Sequence, residues 1–190
     1  MRALARLAAA PLAVVAFLAA PALAQDAPRS DRAVRIVEDV PALHIAKRVS
    51  ADASPSGLPV PRHVSLKHPM NCRQGPSRAH RALWRYRRTG LPLVVVAETE
   101  FWRRVRDVNG DSCWMLGSGL SGRRGALVLA DMVLARKPRA DAPPVARVDR
   151  GAVLALGECA DGWCRVEADT PAGPRKGWSL RRHLWGAQPL

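Results

Sequence analysis

The sequence Phe101-Trp-Arg-Arg-Val-Arg106 recurs further along the chain as Gly162-Trp-Cys-Arg-Val-Glu167. Each copy follows a glycine and an apolar run, at residues 90–97 in the first copy and 151–156 in the second. A turn precedes each Trp-x-Arg-Val strand, and a second turn and another short tryptophan-containing strand follow it. Self-similarity at a fixed spacing is typical of repeated structural units. The sequence therefore predicts two tandem β modules.

Short strands separated by turns make up both copies. Strands are predicted in the first copy at 63–66, 82–86, 91–98, 102–107 and 112–115, and in the second at 132–135, 145–148, 153–159, 163–168 and 176–179. Asn109-Gly110 and Asp161-Gly162 are typical hairpin-turn dipeptides, and residues 116–120 are predicted to form one tight helical turn. No stretch has a convincing helical pattern. The sequence therefore predicts an all-β fold with a small β-barrel in each copy.

The first copy opens with a recognisable motif. Asn71-Cys-Arg-Gln-Gly-Pro-Ser77 resembles the Asn-x-Arg-x-Gly-Pro-Ser opening of bacterial SH3-like domains. Three further stretches resemble one exported family of such domains: Gly57-Leu-Pro-Val-Pro-Arg62, Tyr86-Arg-Arg-Thr-Gly-Leu-Pro92 and Leu120-Ser-Gly-Arg-Arg124. The resemblance covers most of residues 57–186 and implies tandem SH3-like barrels that bind, often to cell wall, rather than catalyse. In the second copy Ala135-Arg-Lys-Pro138 keeps the arginine but lacks Gly-Pro-Ser, so a site on this loop is expected in the first copy only.

The N-terminus has the three parts of a secretory signal peptide. Residues 1–6 are basic, residues 7–20 form an apolar run, and Ala22-Leu-Ala24 is a small-x-small cleavage site. The apolar run is short for a membrane span, although an uncleaved anchoring helix is the alternative. We therefore predict a signal peptide at 1–24, a flexible leader at 25–56, an SH3-like domain at 57–122, a connector at 123–127 and a second SH3-like domain at 128–190. The protein is expected to be periplasmic or secreted.

The chain is strongly basic. Its formal net charge is +14, and it is still +12 once Arg2 and Arg6 of the predicted signal peptide are removed. Such a field favours anionic partners, including nucleic acid, acidic lipids and acidic envelope polymers. Export argues against nucleic acid. The excess of arginine over lysine suits bidentate contacts with anions, although genome composition alone can also produce it.

The second hairpin predicts a disulfide. If Asp161-Gly162 is a two-residue turn, Cys159 lies opposite Cys164 in a non-hydrogen-bonded pair with Cα atoms about 4.5 Å apart, which a disulfide accepts. When the two Trp-x-Arg-Val motifs are aligned, the first copy has Glu98 and Arg103 at these positions. An opposite-charge cross-strand pair is expected to take the place of the disulfide there.

Cys72 and Cys113 are the two remaining cysteines, and we expect them to form a second disulfide. A bridge between them would join the opening strand of the first module to its closing tryptophan strand, and an exported protein permits it. The alternatives are two free thiols, a catalytic cysteine paired with one of three histidines, or a metal site built on those histidines and Cys72. The histidines are His63, His68 and His80.

Strand alternation places Trp102 on the same face as Arg104 and Arg106, opposite Val105. Trp163 is likewise grouped with charged residues. A tryptophan on a charged face is a candidate ligand platform, whereas in the alternative interpretation each tryptophan caps the end of its barrel. We take Trp102, Arg104, Arg106, Tyr86 and Trp163 as the candidate ligand-binding residues. The other four tryptophans are expected in the cores or at the module interface: Trp84, Trp114, Trp178 and Trp185.

These observations predict a non-catalytic exported binding protein without a cofactor or metal. Its expected ligand is a cell-envelope component such as peptidoglycan peptide or an acidic wall polymer. The second hypothesis is an interaction module that scaffolds or regulates a periplasmic enzyme through strand edges or the module interface. A third, a hydrolase that uses Cys72 or Cys113, requires a free thiol. No glycine-rich loop joins a strand to a helix as nucleotide binding would require, and no membrane span is predicted in the mature chain.

Overall fold

The β-branched run that follows Gly90 forms a central strand of an antiparallel sheet. The computed structural model describes residues 50–190, so the predicted signal peptide and residues 25–49 of the predicted leader lie outside the described residues. The first sheet contains β1 (Arg62–Leu66), β2 (Met70–Arg73), β3 (Ala82–Tyr86), β4 (Pro92–Glu98), β5 (Trp102–Arg106), β6 (Ser112–Leu116) and β7 (Leu120–Ser121). Short 3-10 turns occupy Ala51–Ala53 and Gly117–Gly119.

The second sheet repeats the first. It contains β8 (Gly125–Val128), β9 (Met132–Ala135), β10 (Pro144–Val148), β11 (Val153–Ala160), β12 (Trp163–Ala168), β13 (Arg175–Leu180) and β14 (Leu184–Trp185), with a 3-10 turn at Arg181–His183. The strand orders are β3-β2-β6-β5-β4-β1-β7 and β10-β9-β13-β12-β11-β8-β14, which are the same order shifted by seven strands. The predicted all-β fold with two tandem repeats is therefore confirmed, and residues 50–190 contain no α-helix.

Residues 125–127, which were predicted to be part of a connector, form the start of β8 instead. All four residues of β8 are buried. Ala126 and Val128 pack into the core of the second sheet, whereas Leu127 packs into the core of the first. A strand buried on both faces is apolar throughout rather than alternating, which explains why this segment lacks the usual strand pattern.

The two sheets pack against each other. Trp185 of β14 lies opposite Leu127 and joins the core of the first sheet, where Leu190 also packs. His63 Nε2 of β1 donates a hydrogen bond to the carbonyl of Gln188 at 2.8 Å. Arg88 donates to the carbonyl of Gly151. This junction supplies the mutual packing that modules of about 60 residues need for stability.

The described end of the predicted flexible leader contacts the first sheet. Ser54 Oγ and Ser56 Oγ both donate hydrogen bonds to Glu98 Oε1, and the Ser56 backbone N–H donates to the same atom at 3.0 Å. Ser54 and Ser56 are therefore held against the first module, because they bond a carboxylate whose side chain is only 2% exposed. Among residues 50–190, no helix has the length and apolar character needed to cross a bilayer.

Candidate functional site

Trp102 lies where alternation along β5 places it. Trp102, Arg104 and Arg106 pair across the strand with Leu116, Trp114 and Ser112, on the face opposite the buried Val105. The Trp102 side chain is nevertheless only 9% exposed. It is therefore not an open aromatic platform, and it contributes part of its surface to the wall of a groove.

This groove has a volume of about 370 Å³ and combines strands with loops. It is lined by His68, Pro69, Met70, Asn71, Arg73, Arg78, Arg85, Trp102 and Leu116. Four of these nine side chains are basic types and none is acidic. We call it the arginine groove. Its arginines come from β2, the β2–β3 loop and β3, and its apolar wall comes from Met70, Trp102 and Leu116.

The opening motif explains how Arg73 is held. Arg73 Nη1 donates to the carbonyl of His80 at 2.7 Å, and Ser77 Oγ lies 2.8 Å from His80 Nδ1. A Cβ atom at Gly75 would lie 2.5 Å from the His80 ring, so only glycine leaves room for the imidazole. Gly75, Ser77 and His80 thus close the loop and fix the carbonyl that orients Arg73. We call this the Gly75–His80 latch.

The second sheet carries the same groove positions with different chemistry. Arg73 pairs with Trp114 and Ala82, and Ala135 pairs with the equivalent Trp178 and Pro144. The sequence alignment that matched Arg73 with Arg136 was therefore wrong by one residue, because cross-strand register, and not residue identity, sets the equivalence. The nine equivalent residues are Ala130, Asp131, Met132, Val133, Ala135, Ala140, Arg147, Trp163 and Leu180. They include one arginine and one acidic residue, and the latch positions of Gly75 and His80 hold Lys137 and Ala142.

The other predicted ligand-binding residues do not line the arginine groove. Arg104 Nη2 donates to Ser112 Oγ at 3.2 Å on the outer face, and Arg106 is half-buried on the same face. Trp163 is half-buried in the second module. Tyr86 is buried, and its hydroxyl donates to Asp107 Oδ2 at 2.7 Å. Burial and the Asp107 charge raise the pKa of Tyr86, so its hydroxyl keeps the proton that it donates to Asp107.

Trp84, Trp114, Trp178 and Trp185 differ in burial. Trp185 is buried at the module junction as predicted, while the other three are half-buried. Trp84 packs edge-on against Tyr86, with ring centroids 6.1 Å apart.

Both predicted disulfides are confirmed. Cys159 pairs with Cys164 across a two-residue turn with positive φ at Asp161 and Gly162, and the Cα atoms are 4.0 Å apart. Cys72 pairs with Cys113 with Cα atoms 5.5 Å apart. All four cysteines are thereby paired, so the free-thiol, cysteine-nucleophile and cysteine–metal alternatives are wrong. Within residues 50–190, no three His, Cys, Asp or Glu side chains converge as a metal site would require.

The first module has an ion-pair cluster where the second has its hairpin disulfide. Glu98 lies opposite Arg103, as the alignment of the two Trp-x-Arg-Val motifs predicts, and Arg62 Nη2 also donates to Glu98 Oε2 at 2.7 Å. Burial by itself would raise the pKa of Glu98. Hydrogen bonds from Ser54, Ser56 and Arg62 outweigh this effect and lower the pKa to about 2.

The second module has a groove of its own over β11 and β12, with a volume of about 340 Å³. Its lining includes Arg165, Glu167 and Lys176. Lys176 Nζ lies 3.5 Å from Glu167 Oε2, so part of the positive charge is already neutralised. The lining of the arginine groove contains no acidic residue that could neutralise its arginines in this way.

Sequence reasoning missed the arginines of the groove as a group. Arg73 and Arg78 lie in or beside the recognised opening motif, and Arg85 lies on the following strand. The opening motif is the sequence signal that points to this groove, because Gly75 and Ser77 hold the loop whose carbonyl orients Arg73.

The chain matches one family of known domains and has low similarity to some solved structures. Two solved structures, NlpC2 and NlpC1 from Trichomonas vaginalis, share 12% and 14% sequence identity with this chain, each over 66% of it, with TM-scores of 0.30. The chain covers 48% and 45% of their lengths, which is less than half of each. Among curated proteins no significant match exists. Residues 67–122 and 130–186 each match the Bacterial SH3 domain, and the chain therefore belongs to the bacterial SH3 domain family.

Proposed function

We propose that this protein is an exported, non-catalytic binding protein whose first module binds an acidic component of the cell envelope in the arginine groove. Domains of this family typically bind cell-wall components. The observation that carries the proposal is the concentration of Arg73, Arg78 and Arg85 in a groove without an acidic lining residue.

Guanidinium groups suit this ligand class. Arginine binds carboxylate and phosphate oxygens in a bidentate manner, and such charge-assisted hydrogen bonds are stronger than neutral ones. The apolar wall formed by Met70, Trp102 and Leu116 can pack against the uncharged part of the same ligand. Carboxylates of peptidoglycan peptides or the acidic groups of another wall polymer have this combined character.

The second module serves this function less well. At the groove positions it has Ala135 and Ala140 in place of Arg73 and Arg78, and Asp131 adds a negative charge. We assign ligand binding to the first module and a supporting role to the second, whose β8 and β14 complete the core of the first.

A protein-interaction scaffold is the alternative. The module interface is already occupied by the packing of Leu127 and Trp185, so a partner would use a strand edge. β3 ends the first sheet and carries Leu83, which is 37% exposed. Addition of a partner strand to such an edge is a common mode of peptide recognition.

Sedimentation with purified sacculi tests the proposal. The groove variant combines Arg73→Ala, Arg78→Ala and Arg85→Ala. The matched control combines Arg136→Ala, Arg139→Ala and Arg147→Ala in the second module, with the same loss of charge. A lost hydrogen bond to a charged group costs about 1.5–3 kcal/mol, so at least about tenfold weaker binding is expected for the groove variant alone.

A salt series distinguishes the outcomes. Wild-type binding should weaken with ionic strength, and the groove variant should show a smaller dependence. Equal retention of the groove variant and the control would reject the groove as the site. A stoichiometric protein partner, found by crosslinking in cells and retained by the groove variant, would favour the scaffold.

A further inference from the structure

Two arginines occupy equivalent positions at the start of the two sheets, but only one has a carboxylate partner. Arg62 begins β1 and bonds Glu98, whereas Arg124 immediately precedes β8. The position equivalent to Glu98 is Cys159, which forms a disulfide with Cys164 and offers no negative charge to Arg124. Arg124 Nη2 donates instead to the backbone carbonyl of Gly186 at 3.0 Å. Arg124 therefore lies at the position equivalent to Arg62 but has no carboxylate partner among residues 50–190.

A second arginine faces the same region with an unsatisfied donor. Arg181 begins the 3-10 turn after β13, and its Nε is buried without a hydrogen-bond partner among residues 50–190. The first-module equivalent of Arg181 is Gly117, where an added Cβ atom would lie 3.3 Å from Cζ of Arg103, the arginine that binds Glu98. Arg181 therefore starts from the place where Arg103 meets that carboxylate. Burial lowers the pKa of Arg124, and the charge of Arg181 lowers it further. No ion pair found within residues 50–190 involves either arginine.

His63 of β1 bonds the same C-terminal segment from the side of the first module. Its Nε2 is bonded to Gln188, while its Nδ1 is buried and has no partner among the described residues. Burial lowers the pKa of His63, an effect that the Gln188 carbonyl opposes and the nearby Arg124 reinforces. The buried Nε–H of Arg181 has no acceptor, and the positive charges of Arg124 and Arg181 repel each other; both are unfavourable. One anion bound between the two guanidinium groups would accept the hydrogen bond and offset the repulsion.

We infer that Arg124 and Arg181 form a binding site for a small oxyanion, phosphate or carboxylate, at the junction of the two modules. The oxyanion takes the place of the carboxylate that Glu98 supplies in the first module. Bound there, it accepts hydrogen bonds from both guanidinium groups and stabilises the packing of the C-terminal segment against β1.

Thermal unfolding of the purified protein with inorganic phosphate, compared with chloride at equal ionic strength, tests this inference. Wild type should show a saturable rise in Tm, of about 5 °C when phosphate reaches one hundred times its Kd. Arg181→Gln and Arg124→Gln should each abolish the rise, whereas Arg182→Gln, an exposed neighbour, should retain it. A wild type without the rise, or an undiminished rise in both junction variants, would overturn the site.

The arginine groove also attracts anions, so the groove variant defined above is included. It should keep the phosphate-dependent rise, and loss of the rise in that variant alone would assign the effect to the groove and overturn the junction site. Acetate in place of phosphate distinguishes a carboxylate from a phosphate preference. A phosphate-dependent shift of the Arg181 Nε–H resonance in 15N spectra gives a local readout that folding defects do not imitate.

Discussion

Glu98 at the end of β4 lies directly across from Arg103 on β5, and its Oε2 accepts a hydrogen bond from Arg103 Nε at 2.9 Å. The equivalent positions of the second sheet are Cys159 and Cys164. The same cross-strand position is thus clamped by an ion pair in one module and by a disulfide in the other. The ion pair connects more parts of its module than the disulfide does, because Glu98 also binds Arg62 and the segment around Ser54.

We expect Glu98→Gln to destabilise the first module by about 3 kcal/mol at neutral pH, since the pKa of Glu98 is lowered from 4.5 to about 2. A lowered carboxyl pKa means that the stabilisation is complete above pH 4.5 and is lost as the pH falls toward 2. Urea unfolding across this range should show a shallower pH dependence for Glu98→Gln than for wild type. Glu100→Gln, at an exposed neighbour, is the control. An unchanged pH dependence in the Glu98 variant would contradict the prediction.

The two disulfides should differ in their effect on stability. Cys72 and Cys113 are 41 residues apart, whereas Cys159 and Cys164 are 5 apart. Loop-closure entropy then predicts losses of about 4 and about 2 kcal/mol when each pair is replaced by alanines. Chemical denaturation of the two double variants measures both values. A larger loss for the hairpin pair would show that loop entropy is not the main term.

Gly75→Ala should weaken ligand binding without removing any charge. The added methyl group collides with the His80 ring, so the latch opens and Arg73 loses the carbonyl that orients it. Sacculus sedimentation should show weaker binding for this variant, while Lys137→Ala at the equivalent position of the second module should bind as wild type does. Normal binding by Gly75→Ala would show that the latch is dispensable.

Acid should weaken the module junction through His63. Burial lowers its pKa below 6.5, so the folded protein favours the neutral ring while the unfolded chain takes up a proton. Stability should therefore fall as the pH drops below 6.5, and His63→Gln should reduce this dependence. Tm measured between pH 7.5 and 5.5 tests this, with His68→Gln as the exposed control. An identical pH profile for His63→Gln and wild type would be the contrary result.

Much of the fold was predictable because its signals are local. Period-two alternation and turn dipeptides located most strands, and the turn at Asp161-Gly162 placed Cys159 opposite Cys164. Alignment of the two Trp-x-Arg-Val motifs then identified Glu98 and Arg103 as the equivalent pair. β8 was missed because its residues are buried on both faces, and this depends on the neighbouring module.

The candidate site was less predictable. Trp102 was placed on the correct face, yet its burial depends on residues from other strands. Arg73, Arg78 and Arg85 lie on separate elements and meet only when β2 pairs with β3 and β6. The mistaken match of Arg73 with Arg136 has the same origin, because a register is set by partners across the sheet.

The sequence by itself determined the all-β class, the repeat, the hairpin turns and the cysteine pairing within the second hairpin, since each follows from the backbone preferences and spacing of nearby residues. Only the tertiary structure decided that the first module concentrates its arginines in one groove and that the second module completes the core of the first. It also decided that Arg124 lacks a carboxylate partner such as Glu98, which binds Arg62. These features depend on distances between residues far apart in the chain, which become defined when strands pair and modules pack.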